Sequence, residues 1–311
     1  MSRPVAELPA PTTQNPVGAG RRRRSRQERL AYKILLPALG MVFIIVTIPF
    51  VLAVVQSIQA DDGSSLVGLR NYARALSNPA FYDALRATGL YAVIVLPAEI
   101  VLGLGFALLV HRTVRSPGLR ATLYILAVVP LVVPPVAVGV VARLIYAPGY
   151  GVLNVILERL GIIHQEIEWL SVPALAMFSV ASVDIWQWTP FVYLVLFAGL
   201  QTVPKESVEA AQVDGATWWT QFIYIELHYL RPLFLLILFF RAADILRVFD
   251  HIFILTGGGP GTTTQLLSLY LYRVEFKFFQ TGQAAALAVV VLVSISLLYT
   301  LVTRLLPLER T

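Results

Sequence analysis

The chain contains no cysteine and only three lysines among its 311 residues. Without cysteine there is no disulfide, no thiolate nucleophile and no sulfur ligand for a metal. Histidine is scarce as well: His111, His164, His228 and His251 stand apart, with no partner at ligand spacing, so neither a metal site nor a resident cofactor is expected. Charged residues make up 14% of the chain, against roughly a quarter in a soluble domain. The glycine-rich stretch from Thr256 to Thr264 superficially suits a phosphate. A phosphate loop needs Gly-Lys-Ser/Thr, and no lysine follows before Lys277, so that reading fails. No nucleotide-binding fingerprint and no convincing nucleophile, base or metal constellation occurs elsewhere, which argues against an enzyme.

What is abundant is apolar surface. Hydrophobic residues are 57% of the chain and mean hydropathy is +0.74. Six runs reach the roughly 20 residues needed to cross a hydrocarbon core: Ile34 to Ile58, Thr88 to Val110, Thr122 to Ala147, Val172 to Leu200, Leu233 to Thr256, and Ala284 to Leu306. All are expected to be helices, because backbone groups in lipid must be satisfied within their own segment and no alternating barrel pattern appears. The fold class is therefore an all-α membrane protein with six transmembrane helices. Pro130, Pro134 and Pro135 predict a kink in the third run, and Pro190 one in the fourth.

With the N-terminus inside, the inner segments carry fifteen Lys and Arg against five on the outside. That asymmetry places both termini in the cytoplasm. Arg21 to Arg24 dominate it; they fit an uncleaved anchor better than a nucleic-acid patch or a twin-arginine export signal. Residues 1–30 are expected to form a basic, disordered cytoplasmic tail, and 31–311 the membrane domain. Between the third and fourth runs, Val152, Leu153, Val155, Ile156 and Leu160 recur at helical spacing and suggest an interfacial helix.

Charges inside apolar runs are costly and mark candidate functional positions. Arg241, Asp244, Arg247 and Asp250 follow one another at i,i+3 with alternating sign in the fifth run. They neutralise one another along a helix or line a polar pathway, and both readings stay open. Glu99 and Arg143 are expected to pair within the bundle. In the fourth run, Asp184, Gln187 and Trp188, followed by Phe191 and Tyr193, combine aromatic faces with hydrogen-bonding groups. Such a set suits a sugar; it equally suits ordinary packing around an acid buried against an arginine.

Between the fourth and fifth runs lies a polar, helix-compatible segment, residues 201–232. Pro204 opens it, Asp214-Gly215 stops and turns it, and Ala210 and Ala211 leave its surface thin. A partner's groove can approach such a helix closely, with Glu209 at the rim. The segment reads as a docking element for a soluble partner.

These residues resemble the coupling motif of permease subunits of binding-protein-dependent ABC importers. The motif is Glu-Ala-Ala, three residues, then Gly, with Ile-x-Leu-Pro nine residues on. Glu209, Ala210, Ala211, Gly215, Ile225 and Leu227 match, and Asp214 and Ala216 add the flavour of the carbohydrate class of maltose, trehalose and glycerol-phosphate systems. His228 stands where the final proline is usual, leaving Pro232 to break the segment before the fifth span. Phe249-Asp250, Leu255-Thr256, Gly258-Gly259-Pro260, Thr264, Tyr270, Tyr272, Phe276, Gly282 and Ala284 to Ala286 resemble the same class, as does Gly68-Leu69 with Asn71-Tyr72. Ala87-Thr88 departs from its Asn-Thr. Within the class, the pattern also resembles that of the first permease of the mycobacterial trehalose importers.

The resemblance implies a type I importer permease-like bundle, pairing with a second permease into a heterodimer. It also implies two ATPase subunits that hold ATP and Mg, and an extracytoplasmic sugar-binding protein, in a bacterial inner membrane. Glu209, Ala210, Ala211, Asp214 and Gly215 would couple to the ATPases. Asp184, Gln187, Trp188, Phe191, Asp244 and Arg247 are the expected substrate pathway. A proton-coupled secondary transporter would also use intramembrane Asp and Arg, but has no use for a docking segment.

Overall fold

The computed structural model describes residues 17–305 and divides into two units, 1–55 and 56–311. The first is a stretch of α1 (Val17–Ser57), whose backbone is helical from Val17 onward. The tail expected to be irregular through residue 30 is thus helical from that point, and residues 1–16 lie outside those described.

Among the described residues, the regular structure of the second unit is helical, with an isolated bridge between Gln59 and Leu66. Its elements are α2 (Arg70–Ser77), α3 (Pro79–Thr113), α4 (Pro117–Val132), α5 (Pro135–Ile145), α6 (Val152–Arg159), α7 (Pro173–Leu200), α8 (Lys205–Val213), α9 (Trp218–Gln221), α10 (Leu227–Ile245), α11 (Asp250–Leu255), α12 (Leu267–Phe276) and α13 (Thr281–Leu305). Proline opens α3, α4, α5 and α7, where its missing N–H costs nothing and its fixed φ suits the first turn. Asn78 and Ser116 cap α3 and α4 through their side-chain oxygens. The expected interfacial helix is α6, with Leu160 as its C-cap.

Among the described residues, four helical stretches are long and apolar enough to cross a bilayer: Tyr32–Ser57, Pro79–Thr113, Pro173–Leu200 and Trp218–Ile245. The bent pair α4 and α5 makes a fifth if taken as one span, and α13 carries a shorter apolar stretch, Thr281–Leu297. Leu306, the expected end of the sixth run, lies outside the described residues.

Two expected spans are broken. The third is not a kinked helix: it turns by 91° between α4 and α5. Pro134 and Pro135 together remove two backbone donors, and each pushes the residue before it into extended backbone, as Val133 (ψ 125°) and Pro134 (ψ 136°) show. The fifth ends at Ile245, so Arg247 sits in a turn and Asp250 opens α11 rather than continuing one helix.

The joining segment also differs from its expectation. Pro232 does not break it. A π-helical turn, Phe222–Glu226, links α9 to α10, and Pro232 lies inside α10.

The core sits along α3 and α7. Gly103 lets them meet: a Cβ there would fall 2.6 Å from Val192 Cγ1, inside contact distance. Small residues at such crossings are how membrane helices gain packing contact without a hydrophobic drive.

Candidate functional site

Two features stand out: a polar knot inside the bundle and an exposed helix at one end.

The knot centres on Arg241, which is 1% exposed. Its Nε and Nη2 donate to the two carboxylate oxygens of Glu99, each at 2.7 Å. Nη2 also donates to Asp184 Oδ2 at 2.7 Å, and Nη1 to Asp244 Oδ2 at 2.5 Å. The Trp188 ring lies over the guanidinium, 4.6 Å from its carbon. Glu99 comes from α3, Asp184 and Trp188 from α7, Arg241 and Asp244 from α10. A planar fork that is always charged is the side chain able to satisfy three carboxylates at once. Burying such charges is tolerable only because each is paired and hydrogen-bonded.

Away from the core the knot opens. Asp244 is 28% exposed, and its second oxygen lies 3.6 Å from Arg247, itself 71% exposed. Phe191 packs edge-on against Trp188, centroids 6.0 Å apart. Trp188, Phe191, Asp244 and Arg247 therefore keep some surface, whereas Asp184 and Gln187 are closed off within the packing. The two readings of Asp184 resolve: it is the acid buried against an arginine. Gln187 Nε2 donates to the Val133 carbonyl at 3.0 Å, satisfying the backbone where α4 breaks from α5.

Of the four alternating charges, Arg241 pairs with Asp244 and Asp244 with Arg247. Asp250 joins neither pair, because it sits beyond the turn. Glu99 pairs as expected. Arg143 does not form an ion pair among the described residues; it donates to the Ile254 carbonyl at 3.2 Å.

At the end of α7 the chain leaves the bundle as α8, none of whose residues is buried. Glu209 and Ala210 are exposed, and Ala211 is partly so. Asp214 is the C-cap, and Gly215 takes φ +77°, a left-handed turn that only glycine adopts without strain. Thr217 then caps α9, accepting from the Thr220 N–H at 3.3 Å. A cavity of about 550 Å³ lies behind α8, lined by His111, Arg120, Lys205, Glu209, Gln212 and Glu226 among others.

Sequence reasoning missed Glu226. It is buried in the π-helical turn and accepts from Arg112 Nη2 at 2.8 Å, while Arg112 also lies 5.0 Å from the Trp218 ring centre. The available signal was a lone acid inside the apolar run Phe222 to Leu230. A second omission is the contact of Tyr91 Oη with His251 Nε2 at 3.2 Å, which joins α3 to α11.

An open groove of about 650 Å³ also runs between α3, α4 and α7, lined by Phe106, Phe178, Trp186 and Tyr193 among others. Its walls are nearly all apolar, so it offers little to a hydroxyl-rich ligand; the knot's open edge does.

Residues 99–310 match the family model described as binding-protein-dependent transport system inner membrane component. The chain is 35% identical over 262 residues to the trehalose/maltose transport system permease protein MalF of Thermococcus litoralis, covering 83% of this chain and 85% of that protein. It is 31% identical over 274 residues to the trehalose transport system permease protein SugA of Mycobacterium tuberculosis, covering 86% and 85%. Among solved structures, a bacterial ABC transporter involved in the import of the acidic polysaccharide alginate shares the fold, with a TM-score of 0.75, 24% identity, and coverage of 91% of this chain and 98% of the other. With the matched region running from the knot's Glu99 through the exposed α8 to the last helix, the chain belongs to the inner-membrane components of binding-protein-dependent transport systems.

Proposed function

We propose that this chain is one of two permease half-channels of an ATP-driven ABC importer that moves a disaccharide of the trehalose or maltose type into a bacterial cytoplasm. A second permease completes the channel. Two ATPase subunits hold ATP and Mg, one of them docked on α8 of this chain, and an extracytoplasmic binding protein delivers the sugar. Both termini are cytoplasmic in the bacterial inner membrane.

The observation that carries this reading is α8 itself. A nine-residue helix with no buried residue, thin at Ala210 and Ala211, is carried between α7 and α9. A mere tether needs no cap, no left-handed glycine and no return into a π-helical turn. Glu209, Ala210, Ala211, Asp214 and Gly215 are the coupling residues on this reading.

When the ATPases close, they draw α8 with them. The displacement passes to α7 through a short connection, residues 201–204, and to α10 through α9. The Arg241 knot ties α3, α7 and α10 together inside the membrane, so these helices shift as a unit, the rigid-body mode of alternating access. Trp188 and Phe191 offer ring faces for the C–H surfaces of a sugar, and Asp244 and Arg247 offer an acceptor and donors for its hydroxyls. Asp184 and Gln187 serve that pathway from behind, holding Arg241 and the α4–α5 break. The names of the two relatives support a disaccharide cargo.

Reconstitution with the partner subunits and binding protein in proteoliposomes tests this. Labelled trehalose or maltose should accumulate only with ATP on the ATPase side. Accumulation driven by a proton gradient without ATP would instead establish a secondary transporter.

A further inference from the structure

The turn from α12 into α13 presents four consecutive exposed residues, Phe276, Lys277, Phe278 and Phe279, and the three rings are 61%, 59% and 76% exposed. Phe279 has φ +55°, the positive-φ residue other than glycine among those described. A left-handed residue just past a helix end is ordinarily glycine, because a Cβ there crowds the backbone. For a ring-bearing residue it is a true outlier. The ring itself adds little packing in return, since Phe279 is 76% exposed.

The backbone that carries these rings is clamped. Phe278 N–H donates to the Arg273 carbonyl at 2.9 Å, and Gln280 N–H to the Val274 carbonyl at 3.0 Å. Arg273 in turn donates to Gln265 and to the Gly257 carbonyl, and the Leu267 N–H at the head of α12 donates to Thr88 Oγ1 at 2.9 Å. A strained position that is rigidly held and points outward is a feature whose return lies outside the chain.

We propose that Phe276, Phe278 and Phe279 form an interfacial anchor, inserted at the boundary between lipid headgroups and acyl chains where α13 enters the bilayer. The inference rests on reading α13 as a membrane span. The rings immediately precede its apolar stretch Thr281–Leu297, whose first turns are buried against the bundle and whose later turns expose Leu292, Val293 and Leu297. Lys277 lies among them, a cation on a long stem that reaches headgroup phosphates while the rings go deeper. The neighbouring acid, Glu275, is half-buried and accepts from the Thr281 hydroxyl at 3.3 Å, which holds its carboxylate against the start of α13. Anchored there, α12 and the glycine-rich turn it braces keep a fixed height relative to the bilayer.

Because the chain has no cysteine, Phe279→Cys introduces a single labelling site. The test places a nitroxide on it in the assembled transporter, with cysteine-free partner subunits, in phosphatidylcholine and phosphatidylglycerol vesicles. Phe278→Cys provides a second site should the first disturb the turn, and Val293→Cys reports on α13. Collision with dissolved oxygen should exceed collision with a water-soluble nickel chelate about twofold at 278 and 279 and by a larger factor at 293, deeper in the span. A label at 278 and 279 that meets the nickel chelate preferentially, or is shielded from both reagents by a protein partner, overturns the anchor while 293 remains oxygen-accessible. A nickel-dominated reading at 293 overturns the span itself.

Discussion

Arg241 and Glu99 lie 142 residues apart in sequence and meet through two parallel hydrogen bonds of 2.7 Å, both side chains 1% exposed. This fork is the strongest geometry open to an arginine and a carboxylate, and it closes α10 onto α3 inside the bundle.

Removing one partner should therefore cost more than removing the charges together. Arg241→Met leaves Glu99 and Asp184 buried without their counter-ion and should destabilise the protein by about 3–5 kcal/mol. Adding Glu99→Gln and Asp184→Asn should return part of that loss. Thermal unfolding of the detergent-purified complex, followed by size-exclusion monodispersity, checks both. Arg241→Met with unchanged stability would show that the knot does not tie these helices.

At the knot's open edge the expected outcome is different. Asp244→Asn keeps a hydrogen-bonding side chain beside Arg241 but removes the charge that faces Arg247. Sugar uptake should fall by about tenfold, on the order of the 1.4 kcal/mol that separates a charged from a neutral hydrogen-bonding partner. ATPase subunits should stay bound, as measured by co-purification. Loss of the assembled complex would make Asp244 a structural rather than a transport residue.

The coupling reading predicts that Glu209→Lys abolishes uptake and loosens ATPase binding while the chain remains in the membrane. Because Glu209 is exposed on a helix with no buried residues, the substitution should leave thermal stability within about 0.5 kcal/mol of the parent. Uptake assays, pull-down of the ATPase subunits and membrane fractionation separate the three effects. Full uptake with intact assembly would remove Glu209 from the docking role.

Gln187→Leu preserves shape but withdraws the donor from the Val133 carbonyl. The unpaired carbonyl should cost about 1–3 kcal/mol. Thermal unfolding measures the loss, and oxygen-versus-water accessibility of labels on α4 and α5 reports whether the bend loosens. A neutral result would mean that the two prolines hold the bend unaided.

Gly103→Val tests the crossing of α3 and α7. The added carbons would overlap Val192, and overpacking of this kind costs about 1–3 kcal/mol. A lowered yield of monodisperse protein is the expected outcome; Val192→Ala in the same chain should recover part of it.

Much of this protein was legible in one dimension. The apolar runs located three of the long helices, Tyr32–Ser57, Pro79–Thr113 and Pro173–Leu200; Pro204 and Asp214-Gly215 bounded α8 to within a residue, and the spacing of Val152 to Leu160 marked α6. These signals are local: a run length, a capping residue, a glycine that tolerates positive φ. Pro134-Pro135 announced an interruption, but not that the chain would turn by 91° there. The four alternating charges looked like one helical series until the turn after Ile245 separated Asp250 from the rest.

The sequence by itself determined that the chain must satisfy its backbone in helices within lipid, and that a thin polar helix would interrupt those spans, because both follow from composition and short-range spacing. Only the tertiary structure decided that Glu99, Asp184 and Asp244 would converge on one arginine, that Gln187 would reach the Val133 carbonyl at a broken helix, and that Glu226 would find Arg112. Those partners are set by which helices cross and at what rotation, and side chains separated by 57, 142 or 114 residues carry no mutual signal until the packing brings them within reach.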